Sequence, residues 1–198
     1  MKINNNDMIQ INNDLRDRAF NCAKAHGFHD KEYSDAHWMM LIITEISEAV
    51  DADRKGRHAN SDYFKSLLEC SVSYNGDDEK ERNYIFKVLF EREIKDTVED
   101  ELSDIVIRCL DYAGLKKINV EGRIILSYTV TKKKCFIENM YAIVKDIVNY
   151  KYSQEELINY AFRQVLRVAE FYNIDLLWHI EKKMKYNELR PMLNGKKY

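Results

Sequence analysis

Two short stretches of the chain place carboxylates where a helix would bury them. Residues 41–56 read LIITEISEAVDADRKG and residues 99–114 read EDELSDIVIRCLDYAG. In each, two acidic side chains stand three residues apart, Glu45 with Glu48 and Glu101 with Asp104. That spacing makes them neighbours on one helix face. Trp38, Leu41, Ile42, Ala49 and Ala52 form an apolar stripe, and Glu45 falls inside it. Ile94, Val98, Ile105, Cys109 and Tyr112 form another, and Glu101 falls inside that. A carboxylate on a core face is costly unless a cation answers it. Packed together, the two helices would bring four carboxylates to one place, and an all-oxygen cluster suits a hard cation, Mg²⁺ or Mn²⁺. With 33 acidic residues in the chain, such pairs also arise on solvated faces, so their setting in apolar stripes carries the argument. A di-iron carboxylate bundle needs Glu-x-x-His motifs, and no histidine here follows a glutamate by three.

The elements that must position these groups read as helices. Six glycines and one proline are too few for a many-stranded sandwich or barrel. Apolar periodicity predicts helices over 11–25, from a Ser34 or Asp35 cap to about 54, over 83–114 with a break near Lys95 or Asp96, and over 136–150. Ser153 with Glu156 forms a capping box for a helix reaching Tyr172, and Asp175 caps a last one through Tyr186 or beyond, before Pro191. Residues 124–130 are β-branched and read as a short strand or an extended loop. Residues 110–124 and 166–180 echo one another in Leu, Ala, Ile and Ile at matching positions. That pattern reads either as two similar helix joints or as the trace of an inserted or duplicated segment between them.

Charge and cysteine usage narrow the class. A net charge of -2 gives no general reason for nucleic-acid or membrane binding. The longest apolar run, Trp38 to Ile43, is far short of a membrane span. Cys22, Cys70, Cys109 and Cys135 form no CxxC, so they read as reduced core residues, and a cytoplasmic location is expected. Neither GxxxxGK[ST] nor GxGxxG occurs, so nucleotide handling by a P-loop or a Rossmann turn is excluded.

TEISEAVDADRKG followed by EDELSDIVIRCLDYAG resembles the MazG-like, all-α nucleoside triphosphate pyrophosphohydrolases, whose signature is an (E)ExxE pair on one helix and an ExxD pair on the next. The ending NIDLLWHIEKKMKYNELRPMLNGKKY, residues 173–198, resembles the family's IDL..I..K..YN..RP..HGKK. The likeness spans 35–55, 98–124 and 165–198, within one helical domain over 1–198, with 57–95 and 125–165 as elaborations. Thr44 stands where many members carry a first glutamate, and Asn194 where a histidine is common.

The resemblance implies a helical bundle that cleaves (d)NTP between the α and β phosphates to (d)NMP and pyrophosphate. Glu45, Glu48, Glu101 and Asp104 would hold Mg²⁺, or Mn²⁺ in its place, and Glu45 would take the proton from the attacking water. Lys183, Asn187 and Arg190, at i, i+4 and i+7 of the last helix, would clamp the phosphates. Tyr186, Lys196, Lys197, Arg54 and Lys55 are secondary candidates. His37, Phe28 and Trp38 lie where relatives place base-contacting aromatics, although Trp38 also fits a core role. The resemblance further implies a homodimer or homotetramer and a nucleoside triphosphate substrate, with no nucleic-acid or membrane partner. Two other readings stay open: a catalytically silent interaction or regulatory protein on the same scaffold, and a dUTP/dCTP- or phosphoribosyl-ATP-type pyrophosphatase. By the same mapping, Asp51 and Asp111 belong to neither pair, and their amides are expected to be silent.

Overall fold

The structure, a computed structural model, describes residues 11–72, 74–120 and 128–195, with the side chains of 194 and 195 left aside. It is all-α. The helices are α1 (Asn13–Ala25), α2 (Asp35–Arg54), α3 (Ser61–Cys70), α4 (Glu79–Glu93), α5 (Val98–Lys116), α6 (Phe136–Asn149), α7 (Gln154–Phe171) and α8 (Leu176–Glu188), followed by a 3-10 turn at Met192–Gly195. No strand occurs among the described residues. No helix is long and apolar enough to cross a membrane.

The chain writes most of its own helix starts. Ser34 Oγ accepts from the His37 amide, Ser153 and Glu156 form the reciprocal box, and Asp175 accepts from the Trp178 amide. The break between α4 and α5 falls where Asp96 takes a left-handed φ of 60° and Thr97 caps α5. The echo has a local cause. Lys117 and Asn173 both adopt left-handed φ, and Ile118 and Ile174 donate to the carbonyls of Ala113 and Ala169. The shared letters write one helix C-cap twice.

α5 is the axis, packed on α1, α2, α7 and α8. Its Leu102, Ile105, Val106, Cys109, Leu110, Tyr112 and Ala113 are all buried. At the crossing with α1 a Cβ on Gly114 would stand 2.4 Å from Phe20 Cβ, so glycine sets how closely these helices approach. The two expected elaborations differ in kind. Val130, Phe136, Met140, Ile143, Leu157 and Ile158, all between 125 and 165, belong to the main core. Phe64, Leu68, Phe86, Leu89, Phe90 and Ile94 instead form a second, smaller core with Tyr186 of α8.

Two expectations are corrected. α3 was not foreseen, and α4 begins at Glu79 rather than near Asn83. Of the cysteines only Cys109 is a core residue, since Cys70 and Cys135 are exposed and Cys22 is half-buried. Of the β-branched stretch, 124–127 lie outside the described residues and 128–130 are irregular.

The small core is tied to α8 by a buried histidine. His179 Nε2 and Ser61 Oγ are 3.2 Å apart, while Nδ1 is buried without a partner. Burial holds its pKa down, at about 4 against an ordinary 6.5. Between those values the unfolded chain binds the proton and the folded chain does not. Stability therefore falls as pH drops from 6.5 to 4, by about 3 kcal/mol, and this contribution is constant below that. Thermal melts across that window should show this loss in wild type and its absence in His179→Gln. Parallel curves would contradict the assignment.

Candidate active site

Residues of α1, α2, α5 and α8 enclose a cavity of about 310 Å³. α5 supplies Glu101, Asp104, Arg108 and Asp111, spaced i, i+3, i+7 and i+10 along one face. α2 supplies Glu45 and Glu48. The end of α8 supplies Lys183, Asn187 and, one residue beyond its cap, Arg190. His26 and Phe28, just past α1, and Lys95 and Asp96, between α4 and α5, also line it.

Glu45 and Glu101 are each only 5% exposed. Each of these two and Asp104 offers an oxygen within 4.8 Å of the others, a span that one divalent cation can bridge. The surrounding carboxylates are answered pair by pair. Arg108 Nε donates to Glu45 Oε1 at 2.9 Å. Lys183 Nζ lies 2.8 Å from Asp100 Oδ2 and 2.7 Å from Asp104 Oδ2. His29 Nε2 lies 2.7 Å from Asp111 Oδ1. Glu101 has no such partner among the described residues, and its Oε2 is buried and unbonded. Burial, with Asp104 and Asp100 close by, pushes its pKa up to about 9. Burial and Asp104 also push Glu45 upward, with Arg108 acting against them. The donor set is all oxygen and one buried carboxylate oxygen lacks a partner, so these residues fit a hard divalent cation. Asp96, Asp100 and Glu101 make a second set of the same span. There Lys183 and the Asp96 amide already occupy Asp100 Oδ2.

Of the residues singled out in the sequence, Glu45, Glu48, Glu101, Asp104, Lys183, Asn187 and Arg190 all line this cavity. Their situations differ. Glu48 is exposed at the rim and outside the close oxygen set. Lys183 is buried at 4% exposure and fully committed to Asp100 and Asp104, so it holds carboxylates rather than standing open to a ligand. Asn187 Oδ1 is buried without a partner among the described residues. Arg190 lies over the Tyr186 ring and makes no ion pair among the described residues. Its carbonyl is 2.9 Å from His26 Nε2.

Trp38 is not brought to the cavity. It is 4% exposed, stacked on His29 with ring centroids 5.0 Å apart, and so stands one layer behind Asp111. Among the secondary candidates, Tyr186 is buried and donates to Glu91, and Lys55 pairs with Asp51. Lys196 and Lys197 lie outside the described residues.

Arg108, Asp100 and the His29–Asp111 pair were not singled out as site residues. The signal was available for Arg108 and Asp111: 101, 104, 108 and 111 continue one polar line along the helix, through its apolar second half. Asp111 is also a correction. It is 2% exposed and bonded to His29, so its amide should not be silent. Asp111→Asn should lower stability by about 1–2 kcal/mol, the scale of a weakened charge-assisted bond. Asp51→Asn, exposed beside Lys55 and Arg57, should leave the melting temperature unchanged. Melts on the two variants check the contrast.

No protein-family model, curated protein or solved structure matches this chain.

Proposed function

We propose that the chain is a Mg²⁺-dependent nucleoside triphosphate pyrophosphohydrolase on a MazG-like helical scaffold, acting as a homo-oligomer in the cytoplasm. The observation that carries the reading is Glu101. It is buried beside Glu45 and Asp104, and it is the one carboxylate of that group left without a protein cation. Burial, with Asp104 and Asp100 close by, makes its ionised form costly to the fold, and a bound divalent cation removes that cost.

Each side chain then has a task. Glu45, Glu101 and Asp104 would hold the cation, with Glu48 at the rim as a further oxygen donor. When bound, the cation supplies charge neutralisation at the phosphates and acidifies the attacking water. Glu45, fixed by Arg108, is oriented to accept that water's proton. Arg190 offers a planar fork to phosphate oxygens at the mouth, and the Asn187 amide a neutral contact beside it. Lys183 keeps Asp100 and Asp104 in place. In-line attack on an α-phosphorus needs little beyond such positioning and electrostatics.

A second reading, a catalytically silent scaffold, draws on the same cavity. Arg108 and Lys183 already answer two of its carboxylates, Glu45 and Asp104, as protein cations do in sites that need no metal. The unpartnered Glu101 stands against it. The common NTPs and dNTPs, incubated with Mg²⁺ and scored for pyrophosphate against orthophosphate, separate the two. Pyrophosphate release that stops with EDTA is the expected result. Absence of turnover across the panel favours the silent scaffold.

A further inference from the structure

We infer that Arg108 is a resident countercation that competes with the divalent cation for Glu45 and so sets how tightly this site binds metal. Its Nε bonds Glu45 Oε1 at 2.9 Å, and that oxygen belongs to the same carboxylate that joins Glu101 and Asp104 in the close oxygen set. Lys183 meets the set through Asp104, so two protein cations touch the cluster.

The two differ in freedom. Lys183 lies between Asp100 and Asp104 with its side chain 5% exposed, paired to both. Arg108 forms part of the cavity wall, 18% exposed, with its guanidinium 5.7 Å from the Phe28 ring centroid. Among the described residues it pairs with Glu45 alone, whereas Lys183 answers two carboxylates. A divalent ion on Glu45 and a guanidinium on the same carboxylate repel across a few ångströms of poorly solvated space. Arg108 thus keeps the carboxylates together without metal, and it lowers metal affinity by the same contact.

The inference rests on the proposed function only for the existence of a cation site, and its test uses Mn²⁺ alone, without nucleotide. Calorimetric titration of Mn²⁺ is expected to give Arg108→Met at least tenfold tighter binding than wild type. Its melting temperature should be lower in EDTA and rise more on adding Mn²⁺. Arg108→Lys, which keeps the charge, should bind Mn²⁺ near the wild-type level. If Arg108 instead only orients Glu45, the methionine variant binds Mn²⁺ more weakly or equally, and either result overturns the inference while leaving the metal site in place. Arg108→Gln, whose amide still reaches a carboxylate, carries the same expectation should the methionine variant fold poorly. Failure of both neutral variants to fold even with Mn²⁺ overturns the inference, because the ion should replace the missing charge. Absence of Mn²⁺ binding in wild type and variants alike overturns the proposed metal site together with the inference.

Discussion

Lys183→Met should destabilise the protein by about 3–5 kcal/mol, the scale for removing one partner of a buried ion pair. Methionine fills nearly the same space, so lost packing contributes little. What is lost is the only cation that the described residues place on Asp100 Oδ2 and Asp104 Oδ2, at 2.8 and 2.7 Å. Asp100 is 1% exposed and its other oxygen is already buried without a partner. Urea or thermal unfolding measures the loss. The double variant Lys183→Met/Asp100→Asn should recover a substantial part of it, because the coupled pair is removed together. A lysine whose task was only to meet phosphate would leave the metal-free protein as stable after substitution as before, and that result would refute the structural role.

Glu101→Gln should move stability and activity in opposite directions. The amide keeps the shape of the side chain and removes a buried carboxyl that burial holds protonated, with a pKa of about 9, at a cost to the fold. The metal-free protein should therefore become more stable, by about 1–3 kcal/mol. Turnover should fall at least a thousandfold, and the rise in melting temperature on adding Mg²⁺ should vanish, because the cation loses a central ligand. Steady-state rates and melts with and without Mg²⁺ read both effects. A variant that is less stable and equally responsive to Mg²⁺ would assign Glu101 a packing role.

Glu45 and Glu101 were legible because each interrupts an apolar stripe, and a charge inside a stripe marks itself. Lys183 was legible only as a cation on the Asn187–Arg190 face. That this face points inward follows from Leu176, Ile180 and Met184, which share it and are buried. Arg108 reads locally as one charged residue in IVIRCL, and only its partner on α2 gives it a role. Trp38 fitted base contact and core packing equally until the ring stack with His29 placed it in the core. α3 escaped notice because its ten residues bury only Phe64 and Leu68, too short a pattern for periodicity to register. What pairing across helices decides, a single line of residues does not display.

α8 has no idle side. Ile180, Lys183 and Met184 face the main core. Trp178 and Tyr186 serve the small one. Glu181 and Glu188 hold Arg18, and Lys185 lies over Phe86. A helix spoken for on every side has little room for drift, because a change that suits one neighbour disturbs another. α6 stands at the other extreme, with Ile137, Tyr141 and Val148 exposed. Divergent copies of this sequence would therefore keep α8 nearly letter for letter and rewrite the outer face of α6 freely.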